Sequence, residues 1–142
     1  MKVPKIEFVS KIQGTNVLPF VIDAYVALRK TGDIEPNDVP ASGTEEAFYI
    51  KVRGRIVSVL CFYESDEGEI TVTMGFVLAP YRKRGHYSLL WSRLVQDSIS
   101  RGVKSILGYH KPCNARILSF NNKVGRQIKF ICSGYTVPAK NG

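Results

Sequence analysis

The stretch VLAPYRKRGHYSLL, residues 77–90, runs from an apolar segment through three adjacent cations and one glycine into a helical apolar pattern. The first turn of a helix has unpaired backbone N–H groups and the positive end of the helix dipole, so it attracts anions. Arg82, Lys83 and Arg84 add charge-assisted contacts, and Gly85 lets the backbone approach an anion without a Cβ. The stretch therefore predicts an anion site between a strand and a helix, suited to a pyrophosphate. The sequence has neither G-x-x-x-x-G-K-[ST] nor G-x-G-x-x-G, which argues against a P-loop or a Rossmann fingerprint.

Apolar periodicity on both sides of this stretch predicts a single domain over residues 1–142. The predicted elements are a strand at 5–10, a helix at 16–30, three strands at 47–52, 55–65 and 69–79, a helix at 86–102, a strand at 104–110, a short helix at 112–124 and a closing strand at 126–137. The order β-α-β-β-β-α-β-α-β corresponds to an α/β class with a mixed, mostly antiparallel twisted sheet of about six strands, flanked by helices. Gly102 is the predicted stop of the second helix.

The strand at 69–79 precedes the basic turn, so its two faces matter for the site. In a regular strand successive side chains point to opposite faces. One face then carries Ile70, Val72, Met74, Phe76 and Leu78, and the other carries Glu69, Thr71, Thr73, Gly75 and Val77. We expect the first face to be core and the second to be more polar.

Composition bounds the class of protein. The chain has 142 residues, of which 44% are hydrophobic and 23% charged, enough for one globular domain and unlike a disordered chain. No apolar run reaches the roughly 18 residues of a membrane span, and the N-terminus has no signal-peptide core, so we expect a cytoplasmic protein without a membrane partner. The three cysteines form no C-x-x-C or His/Cys ligand spacing, so neither a disulfide framework nor a metal site is indicated.

Charge is distributed unevenly along the chain. Residues 1–80 hold 8 Lys/Arg and 11 Asp/Glu, a net −3, whereas residues 81–142 hold 12 Lys/Arg and one acid, a net +11. This asymmetry favours an anionic partner for the second part, which is a nucleic acid, a phosphorylated cofactor or an acidic protein surface. The acidic segment from Asp33 to Glu46 fits a cationic substrate or, equally, a solvated surface loop.

The motif RKRGHY at 82–87 resembles the Q/R-x-x-G-x-G/A signature of the GNAT-type acyl-CoA N-acyltransferases, and VLAPY before it resembles their V-x-P-x-Y approach. NARILSFNNKVG, residues 114–125, resembles the family's later segment, in which an Asn opens a helix and a Gly closes it. The resemblance implies a GNAT-like fold and acetyl-CoA as cosubstrate, with no metal. It also implies direct transfer of the acetyl group to a small-molecule or protein amine in a ternary complex.

The same resemblance assigns the cofactor contacts. Val77 and Leu78 lie where the family's bulged strand pairs its backbone with the pantetheine arm, and a nearby amide polarises the thioester carbonyl. The residues implied in cofactor binding are Val77, Leu78, Arg82, Lys83, Arg84, Gly85, His86, Tyr87, Asn114 and Asn121.

The sequence departs from the family pattern at four positions. Tyr87 replaces the last small residue of the signature, Ala79 replaces the proline, Asn121 replaces the tyrosine that protonates the leaving thiolate, and Thr71 replaces a strand carboxylate that serves as base. The predicted replacements are Glu69 as base, His110 as proton shuttle and Tyr109 as the phenol. Alternation puts Tyr109 and His110 on opposite faces of their strand, so the two do not serve together.

Two other functions stay open at this stage. One is a noncatalytic GNAT-fold protein with a structural, virion or interaction role, since Tyr87 and Asn121 depart from the catalytic pattern. The other is a basic nucleic-acid-binding module, with Tyr81, Tyr87 and Tyr109 available for base stacking. The sequence leaves the oligomeric state open.

Overall fold

A single mixed sheet organises the chain. The computed structural model describes residues 4–32, 42–109, 127–129 and 132–138. The strands are β1 (Ile6–Val9), β2 (Glu46–Val52), β3 (Arg55–Glu64), β4 (Glu69–Val77), β5 (Ser105–Tyr109), β6 (Gln127–Lys129) and β7 (Cys132–Thr136), and the helices are α1 (Val17–Thr31) and α2 (His86–Arg101). Their order in the sheet is β1-β2-β3-β4-β5-β7-β6, and only the β4–β5 pair is parallel. The predicted mostly antiparallel α/β architecture is confirmed.

The elements from β1 to β5 match their predicted order, but the closing strand does not. The described residues of this range form two short strands, β6 and β7, which pair antiparallel with Ile128 opposite Ser133. A β-rich run in the sequence does not distinguish two short paired strands from one strand, and the described part of the sheet has seven strands instead of about six. The predicted helix at 112–124 lies outside the described residues.

The predicted alternation along β4 is wrong beyond Val72, because the strand contains a β-bulge. Cys61 pairs with Met74 while Phe62 pairs with Val72, so Thr73 is an extra residue in the ladder. Ile70 and Val72 pack with the α2 side of the core, whereas Met74 and Phe76 pack with the α1 side. Both faces of the sheet are therefore core, each covered by one helix.

Each helix contributes an apolar stripe to its face of the sheet. Leu90, Trp91 and Leu94 of α2 are buried, as their spacing predicts, and Val17, Val21 and Ala24 of α1 are buried on the opposite side. Gly102 ends α2 in the left-handed conformation, and its N–H bonds the carbonyls of Ser98 and Ile99, so the predicted stop is confirmed. Neither helix is long and apolar enough to cross a membrane, among the residues that the structure describes.

Arg101, in the last turn of α2, ties the helix to the edge of the β2–β3 ladder. Its guanidinium lies 2.6 Å from a carboxylate oxygen of Glu46, 3.2 Å from Glu64 and 2.7 Å from Asp97. Hydrogen bonds to Glu46 are the main cause that raises the pKa of Arg101. The network holds the C-terminal end of α2 against the sheet, and so orients the helix whose other end follows the basic turn.

The segment that precedes β2 is only partly the surface loop that was predicted. The carbonyls of Gly43 and Glu45 accept hydrogen bonds from the N–H groups of Gln13 and Ile12. The Glu45 carboxylate is buried, and it accepts hydrogen bonds from both the backbone N–H and the hydroxyl of Ser42. Residues 33–41 lie outside the described part of the chain.

Candidate cofactor and active site

β4 separates from β5 part-way along one edge, and this unpaired edge, at residues 73–77, is called the cleft below. The parallel pairing between β4 and β5 covers only Glu69–Val72 with Ser105–Gly108, while β4 continues to Val77 along β3. Within the described residues no strand pairs with that edge of β4 beyond Val72. Among the described residues, no strand pairs with the backbone groups of residues 73–77 that point to this edge, although the Val77 carbonyl accepts a hydrogen bond from Arg82.

Hydrogen bonds to β3 decide which of these groups point into the cleft. The N–H of Leu78 donates to the carbonyl of Val57, so it belongs to the β3 side. Since the backbone of an antiparallel strand directs alternate residues to opposite edges, Gly75 and Val77 face the cleft. The predicted pairing of Leu78 with the pantetheine arm does not fit this strand, because the Leu78 N–H donates to β3. Pairing of the arm with Val77 stays a prediction.

The basic turn lies where β4 leaves the sheet. A single 3₁₀ turn, Ala79–Tyr81, leads into it, and φ is positive at Lys83 and at Gly85, the residue that precedes α2. Gly85, at the N-cap of α2, has no side chain that could accept a hydrogen bond from the N–H groups of the first turn. Turns of this kind direct successive N–H groups toward one concavity, which is the geometry of a backbone anion site.

The arginines of this turn have defined contacts. The Nε of Arg82 donates to the carbonyl of Val77 at 2.9 Å, and its guanidinium lies 5.5 Å from the centre of the Phe76 ring. The Arg84 guanidinium lies 5.5 Å from the ring of Tyr81. Arg82 thus lies against the end of β4, close to the cleft, while Arg84 and Lys83 are exposed around the turn.

His86 is the first residue of α2 and only 7% exposed. Its ring stacks on Tyr81 at 6.1 Å, and its Nδ1 is buried without a hydrogen-bond partner. Burial, and secondarily the Arg84 charge, lower the pKa of His86 from its ordinary 6.5. The imidazole is therefore neutral near pH 7, and it supports the turn by packing.

We expect His86 to make the fold more sensitive to acid. Because its folded-state pKa is lowered, the unfolded chain takes up the proton first, and stability is lost as pH falls below 6.5 through the lowered value. The loss is up to about 1.4 kcal/mol for each unit by which the pKa is lowered. Urea unfolding at about pH 7.5 and about pH 5.5 should show a larger decrease for the wild type than for His86→Gln. Equal decreases would contradict this expectation.

Tyr87, which replaces a small residue of the signature, has a complementary partner on β4. A Cβ added to Gly75 would lie 2.2 Å from Cε2 of the Tyr87 ring and 2.8 Å from its hydroxyl. The ring therefore covers the Cα of Gly75 and packs with the α2 side of the core. Tyr87 lies under the cleft-lining part of β4, and its ring is packed against the strand.

Glu69 lies at the other end of β4. Its carboxylate accepts a hydrogen bond of 2.9 Å from the Ser105 hydroxyl, across the part of β4 that is fully paired with β5. Glu69 lies four positions before Thr73, a distance of about 13 Å at ordinary strand rise. Glu69, the predicted base, therefore does not lie at the unpaired part of β4, because β5 separates from β4 only after Val72. Thr71 lies in the same paired segment.

Tyr109 is the first residue of β5 beyond the last pair with β4, and its backbone pairs with Cys132. It therefore lies at the point where the two strands separate. His110, Asn114 and Asn121 lie outside the described residues. No group of three or more His, Cys, Asp or Glu side chains in the described ranges could hold a metal ion.

No protein-family model matches the sequence, and no curated protein matches it significantly. Many solved structures do match. A GNAT-family acetyltransferase from Staphylococcus aureus Mu50 is similar over 94% of this chain and 100% of its own, with a TM-score of 0.77 and 12% identity.

Two further matches have specified activities. The ribosomal-protein-S18-alanine N-acetyltransferase from Escherichia coli covers 97% of this chain and 97% of its own, with a TM-score of 0.70 and 15% identity. The N-acetylglutamate synthase from Neisseria gonorrhoeae, solved with coenzyme A and N-acetyl-glutamate, covers 96% of this chain but 36% of its own, with a TM-score of 0.74 and 8% identity. At these identities the likeness establishes architecture. The chain has the fold of the GNAT-type acyl-CoA N-acyltransferases.

Proposed function

We propose that this protein is an N-acetyltransferase that transfers the acetyl group of acetyl-CoA directly to an amine in a ternary complex. The observation that carries the proposal is the open edge of β4 leading directly into the basic turn at the start of α2. An extended pantetheine arm spans about 14 Å at ordinary bond lengths. The segment from Val77 back to Thr73 spans about 13 Å. A pyrophosphate held at the turn would thus place the thioester near the bulge.

The cleft offers the groups that acyl transfer needs. The arm would pair with the backbone of Val77 and Gly75, and a β4 N–H would donate to the thioester carbonyl as negative charge develops on its oxygen. The amine nitrogen attacks the carbonyl carbon, the C–S bond breaks, and the electron pair leaves with the sulfur. Direct transfer needs no covalent enzyme intermediate. Cys61, a buried free cysteine, is unsuited to one because burial raises the pKa of its thiol.

Protons must move in two places. An amine like that of lysine, with a pKa of about 10.4, must lose a proton before attack, and the departing thiolate must gain one. We assign one of these tasks to either Tyr109 or His110, which do not serve together, because Tyr109 lies where β4 and β5 separate.

Replacing Tyr109 by Phe should lower kcat about 100-fold if its phenol carries a proton, since general acid–base groups contribute about 10² to 10⁴. His110→Gln should instead remove one limb of the pH–rate profile if the imidazole is the base. Steady-state kinetics with each variant, at saturating acetyl-CoA and across pH, make the measurement. Unchanged kcat and pH profile in both variants would reject the assignment.

Isothermal titration of acetyl-CoA tests the cofactor site. Arg82→Ala/Arg84→Ala should weaken binding about tenfold or more, because two charge-assisted contacts to phosphate are lost. Lys11→Ala/Lys104→Ala removes the same charge from exposed lysines away from the turn and should leave the affinity unchanged. Tight binding without turnover of any amine would favour a noncatalytic protein. No binding by the folded wild type would reject the proposal.

The acceptor is an amine on a small molecule or on a protein. The match to an enzyme whose name specifies a ribosomal-protein alanine supports a protein amine as one candidate class. A screen of polyamines, amino acids and N-terminal peptides, read by release of the free coenzyme A thiol, would distinguish the two classes.

A further inference from the structure

Positive charge gathers at one end of the sheet from segments that are distant in sequence. β2 and β3 are joined by a tight turn at Arg53 and Gly54, and Val77 at the end of β4 pairs with Ser58, close to that turn. β1 begins at the same end, because Ile6 pairs with Ile50. The exposed cations at this basic end are Lys5, Lys51, Arg53, Arg55, Arg82, Lys83 and Arg84.

The acids of the described strands and of α2 lie mostly at the opposite end. Glu46 pairs with Phe62 at the start of β2, and the β3–β4 turn carries Asp66 and Glu67. Asp97 and Arg101 lie near the C-terminal end of α2. Glu7 is the acid nearest to the basic end along β1, where it lies opposite Tyr49. Cations therefore gather at one end of the strands and acids mostly at the other. The difference in net charge between residues 1–80 and 81–142 did not predict this arrangement.

This basic end carries more charge than the cofactor turn requires. Arg82, Lys83 and Arg84 belong to the turn at α2, whereas Lys51, Arg53 and Arg55 belong to the β2–β3 hairpin. The ends of β1, β2, β3 and β4 are adjacent, so the cations extend over about 14 Å at ordinary strand spacing. A nucleic-acid strand presents a phosphate every ~3.4 Å of its axis, so this length corresponds to about four phosphates.

We propose that the basic end, centred on the β2–β3 hairpin, binds the phosphate backbone of a nucleic acid. Protein interfaces usually contain an apolar centre, but the exposed large apolar side chains of the described residues are Phe8, Ile22, Val26 and Tyr63, none of which lies in the hairpin or the basic turn. Nucleic-acid interfaces are instead polar and strongly positive. An acidic protein is therefore the less suitable partner. The proposal is independent of catalysis.

The test compares two charge-matched triple variants by fluorescence anisotropy with a labelled, mixed-sequence RNA of about twenty nucleotides in about 50 mM salt. Lys51→Gln/Arg53→Gln/Arg55→Gln should weaken binding at least tenfold and make the slope of log K against log salt shallower by about 2, because about three counterions are no longer released. Lys11→Gln/Lys30→Gln/Lys104→Gln removes the same net charge elsewhere and should retain most of the affinity. Both variants should retain acetyl-CoA binding, which separates this surface from the cofactor site.

Three results would overturn the proposal. The first is no RNA binding by the wild type, and the second is an equal loss in the two triple variants, which would mean that net charge alone is responsible. The third is polyglutamate of matched charge competing as well as unlabelled RNA, which would assign the surface to an acidic protein. Circular dichroism of each variant ensures that lost binding is not lost folding.

Discussion

Gly85→Asp should reduce acetyl-CoA affinity at least 100-fold while the protein stays folded. Gly85 precedes α2 with φ of 81°, and nothing lies within 4 Å of the position that its Cβ would take. The new carboxylate would therefore lie among the N–H groups that we assign to the pyrophosphate. Two like charges about 4 Å apart repel by about 4 kcal/mol at an effective dielectric of about 20, which exceeds the ~2.7 kcal/mol of a 100-fold change.

The matched control is Gly85→Asn, which has nearly the same shape without the charge. Asp and Asn are among the residues that best tolerate positive φ, so each should cost only about 1 kcal/mol of stability. Isothermal titration should show a much smaller loss for Asn than for Asp, with similar thermal unfolding for both. Equal affinities of the two variants would mean that the anion does not bind at this turn.

Gly75→Ala should destabilise the protein by about 2 kcal/mol, although alanine is normally preferred to glycine inside a strand. The added Cβ would lie 2.2 Å from Cε2 and 2.9 Å from Cζ of Tyr87, so the ring must move. In a Tyr87→Ala background the space is open, and the same substitution should be neutral or stabilising. Chemical denaturation of the four proteins in this cycle measures the coupling, which we expect to be at least about 1.5 kcal/mol.

A Tyr81→Ala background is the control for this cycle. Tyr81 lies in the same turn but stacks on His86, and it is not among the nearest neighbours of the added Cβ. Gly75→Ala should cost as much there as in the wild type. Additive effects of Gly75→Ala and Tyr87→Ala would mean that the ring does not depend on the glycine.

The features that were predictable from the sequence depend on short-range signals. The spacing of Leu90, Trp91 and Leu94, with Gly102 after them, is enough to define α2. The basic turn follows from adjacent residues, Arg82 to Gly85, placed between a strand and that helix. These signals need no knowledge of which strand lies beside which.

The features that were missed depend on pairing between strands. The extra residue at Thr73 exists only relative to Cys61 and Phe62 of β3, so regular alternation assigned Met74 and Phe76 to the wrong side. The hydrogen bond from the Leu78 N–H to the Val57 carbonyl is likewise a property of the ladder. The sequence alone therefore did not show that the Leu78 N–H faces β3 and not the cleft. A signal for the site was nevertheless present: a glycine in a β-rich strand and a bulky Tyr87 at a small-residue position are complementary changes.

The bulge at Thr73 also gives β4 one residue that can be lost in evolution without exchanging the two faces of the strand. Val72 and Met74 already pair with the neighbouring residues Phe62 and Cys61, so deleting this one codon would restore a regular ladder with β3. Met74 would still point toward α1 and Val72 toward α2, and both sides of the core would keep their filling. A deletion within a regular strand instead moves every later side chain to the other face. Among single-residue deletions in β4, the loss of Thr73 should therefore be the best tolerated.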